Sequence, residues 1–185
     1  MSPYSYLAAT QMPALAERTG ASVRWRPLYL PGVMKATGNS GPTSVAAKAI
    51  YSFKDCNDWA KHYGLPEIKI PTNFPFIAVL ADRCAMVADE KGKLIPFALR
   101  MFDKIWVQQG DCTDQAVVAS VLAEVGLDPE ATIARAGTDE VKAALRKNTD
   151  EAVERGAYGV PTFFVDGEMF VGNDRLMFVE KVLAR

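Results

Sequence analysis

Ser2 and Ser5, separated by Pro3-Tyr4 and opening a helical pattern, stand at the spacing at which Cys-x-x-Cys sets two thiols on the first turn of a helix. Unpaired backbone N–H groups and the helix dipole stabilise a thiolate there. Near the other end of the chain, Gly159-Val160-Pro161-Thr162 runs into a strand and supplies the proline, usually cis, that faces such a helix end in thiol redox proteins. Two serines keep the spacing but cannot form a disulfide. A site shaped to hold a thiolate, with no thiol of its own, points to a thiol that arrives as a ligand, and glutathione is the obvious candidate.

The elements that must position these residues follow from periodicity and punctuation. Residues 3–18 read as a helix with Ser2 as N-cap, Pro3 at the first helical position, Gly20 as terminator and a kink expected at Pro13. Residues 22–29 alternate as a strand with Val23, Trp25 and Pro27 on one side, and residues 30–43, rich in glycine and proline, read as a long loop suited to binding residues. From 44 to 155 the pattern is almost wholly helical, in segments 44–63, 76–91, 94–109, 114–125, 129–136 and 139–155. Strands 162–165 and 169–171 then flank a Gly-containing turn, and Asp174 caps a last helix.

Composition narrows the function classes. Lysine plus arginine number 21 against 22 for aspartate plus glutamate, without a basic run interleaved with aromatics, so nucleic acid is not an expected partner. No apolar stretch approaches the roughly 18 residues of a membrane span, and the N-terminal residues lack the regions of a signal peptide. A soluble, cytosolic protein is expected. Cys56, Cys84 and Cys112 are odd in number, with neither metal-ligand nor Cys-x-x-Cys spacing, and read as reduced, buried thiols with no metal site.

Four stretches together carry a resemblance over essentially the whole chain. They are Ser2-Pro3-Tyr4-Ser5-Tyr6-Leu7-Ala8, Gly32-Val33-Met34-Lys35 with Gly38-Asn39, Gly159-Val160-Pro161-Thr162-Phe163-Phe164, and Gly172-Asn173-Asp174-Arg175-Leu176. In that order and spacing the chain resembles the 2-hydroxychromene-2-carboxylate isomerases, relatives of the kappa-class glutathione transferases in the DsbA-like branch of the thioredoxin superfamily. The resemblance implies an α/β, thioredoxin-like fold with a large all-helical insertion, a thioredoxin-like domain over 1–43 and 156–185 and an inserted helical domain over 44–155. It also implies homodimers, a role in aromatic hydrocarbon catabolism and glutathione as cofactor.

Residue by residue, the resemblance makes Ser2 the catalytic serine, donating a hydrogen bond to the glutathione sulfur. Val160, extended because it precedes Pro161, would pair its backbone with the cysteinyl part of the peptide. Gly172, Asn173, Asp174 and Arg175 would grip the γ-glutamyl end, a carboxylate for the ammonium and helix N–H groups for the carboxylate. Asn39 and Lys48 match further glutathione contacts, Lys35 a lysine near the substrate carboxylate, and Phe74 an aromatic position lining the substrate pocket. Where isomerases often carry Asn-Arg shortly after Asn39, this chain has Ser44-Val45 in a shorter loop.

The activity implied is glutathione-dependent interconversion of 2-hydroxychromene-2-carboxylate and trans-o-hydroxybenzylidenepyruvate. The thiolate adds to a conjugated double bond, the bond rotates, and expulsion regenerates glutathione. A kappa-like transferase, or a non-catalytic glutathione or peptide binder, would use the same binding residues. His62 reads as an amphipathic helix end, Trp59 and Trp106 as core, and Asp82, Arg83, Asp89, Glu90 and Lys91 as a solvated helix face. Thioredoxin-like sheets place a strand immediately before the active-site helix, so a start upstream of Met1 is expected, with about eight further residues reading as a strand.

Overall fold

The computed structural model describes residues 1–185. Its backbone forms nine α-helices and one two-stranded sheet, and the chain divides into two compact units. The first comprises Ser2–Arg24, Gly32–Ile68 and Ala152–Arg185; the second comprises Met1, Trp25–Pro31 and Lys69–Glu151. Residues 44–155 form a run of helices in chain order, whereas the compact units group residues by proximity, so 44–68 lie with the two terminal segments.

In the first unit, α1 (Pro3–Thr19) begins with Pro3 where a missing N–H is harmless, and ends at Gly20, whose φ of 68° is left-handed. Pro13 is accommodated inside one continuous helix. Leu7, Ala8, Met12 and Leu15 recur at helical spacing and are buried. α1 packs against α3 (Ala46–His62), α9 (Leu176–Leu183) and the 3-10 turn Asn173–Arg175. α3 contributes Cys56 and Ala60 to the core, and α9 contributes Leu176, Val179 and Val182. The sheet pairs β1 (Thr162–Val165) with β2 (Glu168–Val171), in antiparallel register Thr162 with Val171 through Val165 with Glu168. Asp166 and Gly167, both at positive φ, make the two-residue turn that matches the twist of a hairpin.

The second unit stacks α4 (Val79–Glu90), α5 (Leu94–Trp106), α6 (Gln115–Glu124) and α7 (Pro129–Ala136), with most of α8 (Asp139–Glu154). Phe97, Met101 and Ile105 form the fully buried stripe of α5. Asp114 and Asp128 cap α6 and α7, their carboxylates accepting from the N–H groups of Ala116 (2.8 Å) and Ala131 (3.0 Å).

Three expectations are corrected. Residues 22–29 keep the expected alternation, Val23, Trp25 and Pro27 half-buried and Ser22, Arg24 and Arg26 exposed, but they form no strand. Alternation decides which side chains turn inward; a strand also needs a neighbour's backbone, and here α8 side chains take that place. Tyr29 N–H donates to Thr149 Oγ1 (3.0 Å), and Asn148 Nδ2 donates to the Pro27 carbonyl (3.0 Å). The expected 30–43 loop contains α2 (Leu30–Thr37) and a 3-10 turn, Pro42–Ser44: its prolines sit near helix starts and Gly38 (φ 72°) follows the last turn of α2. Asp82, expected on a solvated face, is 6% exposed, and burial pushes its pKa up. Asp89, Glu90 and Lys91 are exposed as expected.

Candidate functional site

The site expected at the start of α1 lies in the first unit. Ser2 has the extended backbone of an N-cap (φ −110°, ψ 140°) and is 8% exposed, yet its hydroxyl makes no cap hydrogen bond. Its carbonyl accepts the N–H of Tyr6 at 3.0 Å, the first bond of the helix. The Tyr4 and Ser5 N–H groups belong to the turn whose donors have no intrahelical partner. Beside them the Ser2 hydroxyl could donate to an anion at the helix end.

The proline corner is built from two turns. Val160–Pro161 is a cis peptide, and Val160 stands just outside the β1–β2 ladder, which begins at Thr162. Gly172 N–H donates to the Pro161 carbonyl at 2.9 Å, joining the corner to the Gly172–Arg175 stretch. Gly172 has φ 105°, and a Cβ there would meet Asp174 Oδ1 at 2.4 Å. Only glycine lets the Asp174 carboxylate fold back over its backbone. Asn173 is 2% exposed, and its Nδ2 has no hydrogen-bond partner within the protein. Asp174 does not cap a helix, contrary to expectation; its Oδ2 pairs with Arg175 Nη1 at 3.1 Å, in the 3-10 turn that precedes α9.

Asn39 is tied to the same corner. Its Nδ2 donates to the Tyr158 carbonyl at 2.7 Å, and its Oδ1 accepts the Gly41 N–H at 2.8 Å. Lys35, in the last turn of α2, and Lys48, in α3, are exposed. Ser2, Asn39, Val160, Pro161 and Gly172–Arg175 thus all belong to one compact unit, with Lys35 and Lys48 on its surface. Phe74 belongs to the other unit, where it is half-buried in an edge-packed cluster with Phe76 and Trp106 at centroid distances of 5.9 and 6.2 Å.

Sequence reasoning missed two polar partners of this region. Tyr4 donates its hydroxyl to Asp55 Oδ2 at 2.8 Å, and Tyr63 reaches the Asn173 carbonyl at 3.5 Å. Neither is signalled by spacing, since the partners are distant in the chain. The cysteines are free and buried, and burial pushes each thiol up to about 12. His62 ends α3, stacked edge-on to Trp59, as an amphipathic helix end should. Trp106 is fully buried, whereas Trp59 is half-buried. No helix is long and apolar enough to cross a membrane.

Known proteins resemble this chain over essentially its full length. The family model of the DSBA-like thioredoxin domain matches residues 1–184. A 2-hydroxychromene-2-carboxylate isomerase of Sphingobium xenophagum is 34% identical over 187 residues, covering 99% of this chain and 93% of that protein. Glutathione S-transferase kappa 1 of Caenorhabditis elegans is 28% identical over 196 residues, covering 99% of this chain and 87% of its own. Among solved structures, a 2-hydroxychromene-2-carboxylate isomerase superposes with a TM-score of 0.89 at 28% identity, over 100% of this chain and 90% of that one. With a thioredoxin-like, mostly helical fold, an uncapped serine at the head of α1 and the cis-proline corner in one unit, the chain belongs to the DsbA-like thioredoxin family, in the group of the 2-hydroxychromene-2-carboxylate isomerases.

Proposed function

We propose that the protein is a glutathione-dependent isomerase that interconverts 2-hydroxychromene-2-carboxylate and trans-o-hydroxybenzylidenepyruvate. The observation that carries the reading is Ser2: a largely buried residue at a helix N-terminus whose hydroxyl is not engaged in capping. Two features fit a zwitterionic peptide thiol beside it. Asn173 holds a buried amide donor without a protein partner, and Gly172, lacking a Cβ, lets the Asp174 carboxylate fold back beside it as a partner for an ammonium group.

Glutathione, when bound, supplies a thiol whose reversible addition to a conjugated double bond frees that bond to rotate. The Ser2 hydroxyl donates to the sulfur and, with the helix N–H groups, lowers the thiol pKa from about 8.5 towards neutrality. Val160 offers extended backbone beside the cysteinyl residue, and Gly172, Asn173, Asp174 and Arg175 hold the γ-glutamyl end, with Asn39 and Lys48 completing the peptide's surroundings. Lys35 anchors the substrate carboxylate and offsets negative charge that develops next to it. The same reading has the protein acting in the cytoplasm, as a homodimer, in aromatic hydrocarbon catabolism.

The kappa-class relatives support a second reading, glutathione transfer to an electrophile. Following the chromene's absorbance alongside the glutathione concentration separates the two. The isomerase requires glutathione and leaves its concentration constant over many turnovers; consumption of one equivalent per product identifies a transferase. Calorimetry without binding at millimolar glutathione would reject both enzyme readings.

A further inference from the structure

Ser2 opens α1 without capping it, and Pro3 follows at the first helical position. Such a first turn is the part of a helix that opens most easily, because its donors lack partners. Here it is held from the side. The Tyr4 hydroxyl donates to Asp55 Oδ2 at 2.8 Å and also lies 3.4 Å from the Ser52 carbonyl, both on α3. Tyr4 and Asp55 are half-buried, and Cys56 beside them is fully buried. Burial, with Cys56 and Asp55 next to it, raises the phenol's pKa, so Tyr4 remains a donor across the working pH range. Two residues further on, the buried side chain of Tyr6 and its N–H bond to the Ser2 carbonyl also hold the turn.

We propose that the Tyr4–Asp55 hydrogen bond is the positioning device of the site: it holds the first turn of α1 in place of a cap and so leaves the Ser2 hydroxyl for the ligand sulfur. The part concerning sulfur rests on the glutathione reading above; the part concerning the helix end rests on this geometry alone. Tyr4 lies within the Ser2–Ser5 motif, yet the spacing that marks the two serines assigns it no role, and Asp55 carries no motif at all. Both act through Ser2 and are positioning residues.

The test uses Tyr4→Phe, Asp55→Ala, their combination, and Asp55→Asn, which keeps an acceptor oxygen. In the protein without glutathione, amide exchange at Tyr6, whose N–H closes the first turn, should quicken about tenfold or more in Tyr4→Phe and Asp55→Ala and stay within about twofold in Asp55→Asn. With glutathione bound, ultraviolet titration of the thiolate should show its midpoint raised by about half a pH unit or more in the same two variants, with no further rise in the combination. Unchanged exchange at Tyr6 overturns the proposal. Quicker exchange with an unmoved thiol titration also overturns it, since the contact would then be structural only. Quicker exchange in a protein whose wild type binds no glutathione overturns the glutathione reading and leaves the role at the helix end standing. Asp55→Ala reports the same bond from the α3 side should Tyr4→Phe fold poorly.

Discussion

The N–H of Gly172 donates to the carbonyl of Pro161 at 2.9 Å, so the cis-proline turn and the Gly172–Arg175 turn form one corner at the open end of the β1–β2 hairpin. The bond ties the two turns to each other before any ligand arrives. Under the glutathione reading proposed above, that pre-organisation lowers the cost of binding the peptide.

Replacing Gly172 with alanine is expected to break it. The new Cβ would stand 2.4 Å from Asp174 Oδ1 in a backbone region, φ 105°, that side chains rarely adopt. We expect a stability loss of about 1–3 kcal/mol and a glutathione affinity at least about tenfold weaker, measured by denaturant titration and calorimetry.

Ser2→Ala should separate chemistry from stability. Its hydroxyl does not cap α1, so the unfolding free energy should change by less than about 0.5 kcal/mol, whereas Asp128→Ala, which removes a cap bonded at 3.0 Å, should cost about 1 kcal/mol. Turnover of Ser2→Ala should fall at least about tenfold with glutathione still bound. Unchanged turnover would reject the catalytic assignment.

The three thiols should be silent in the folded protein. Burial holds Cys56, Cys84 and Cys112 protonated up to about 12, so a thiol reagent at pH 8 should react with none of them in the native state and with all three after unfolding. Because the folded pKa exceeds the unfolded value of about 8.5, the thiols' contribution to stability is complete below that pH. It declines as pH rises from there through about 12, so alkaline denaturation should be eased by the presence of the cysteines.

Segments with their own start and stop signals were legible in the sequence: α7 runs from Pro129 to Ala136, between its Asp128 cap and Gly137, and β1 from Thr162 to Val165. What failed depended on partners far along the chain. The alternation of residues 22–29 showed which side chains turn inward, but Thr149 and Asn148 on α8, not a neighbouring strand, take their backbone bonds. Asp82 looked solvated because charge alone predicts exposure, whereas helix packing buries that face of α4. For the site, Ser2, Pro161 and Gly172 announce themselves by local chemistry. Asp55 does not, because a lone carboxylate in an amphipathic helix gives no hint that a tyrosine 51 positions earlier donates to it.

The bond from Asn39 Nδ2 to the Tyr158 carbonyl bears on how the protein ages. Slow loss of ammonia from that side chain would exchange a donor for a carboxylate facing a carbonyl oxygen, and attraction would become repulsion. The segment that follows Lys35 would come loose from the proline corner while the sequence read from the gene stayed the same. Stored samples would then lose function one charge at a time, visible as an acidic isoform before any unfolding.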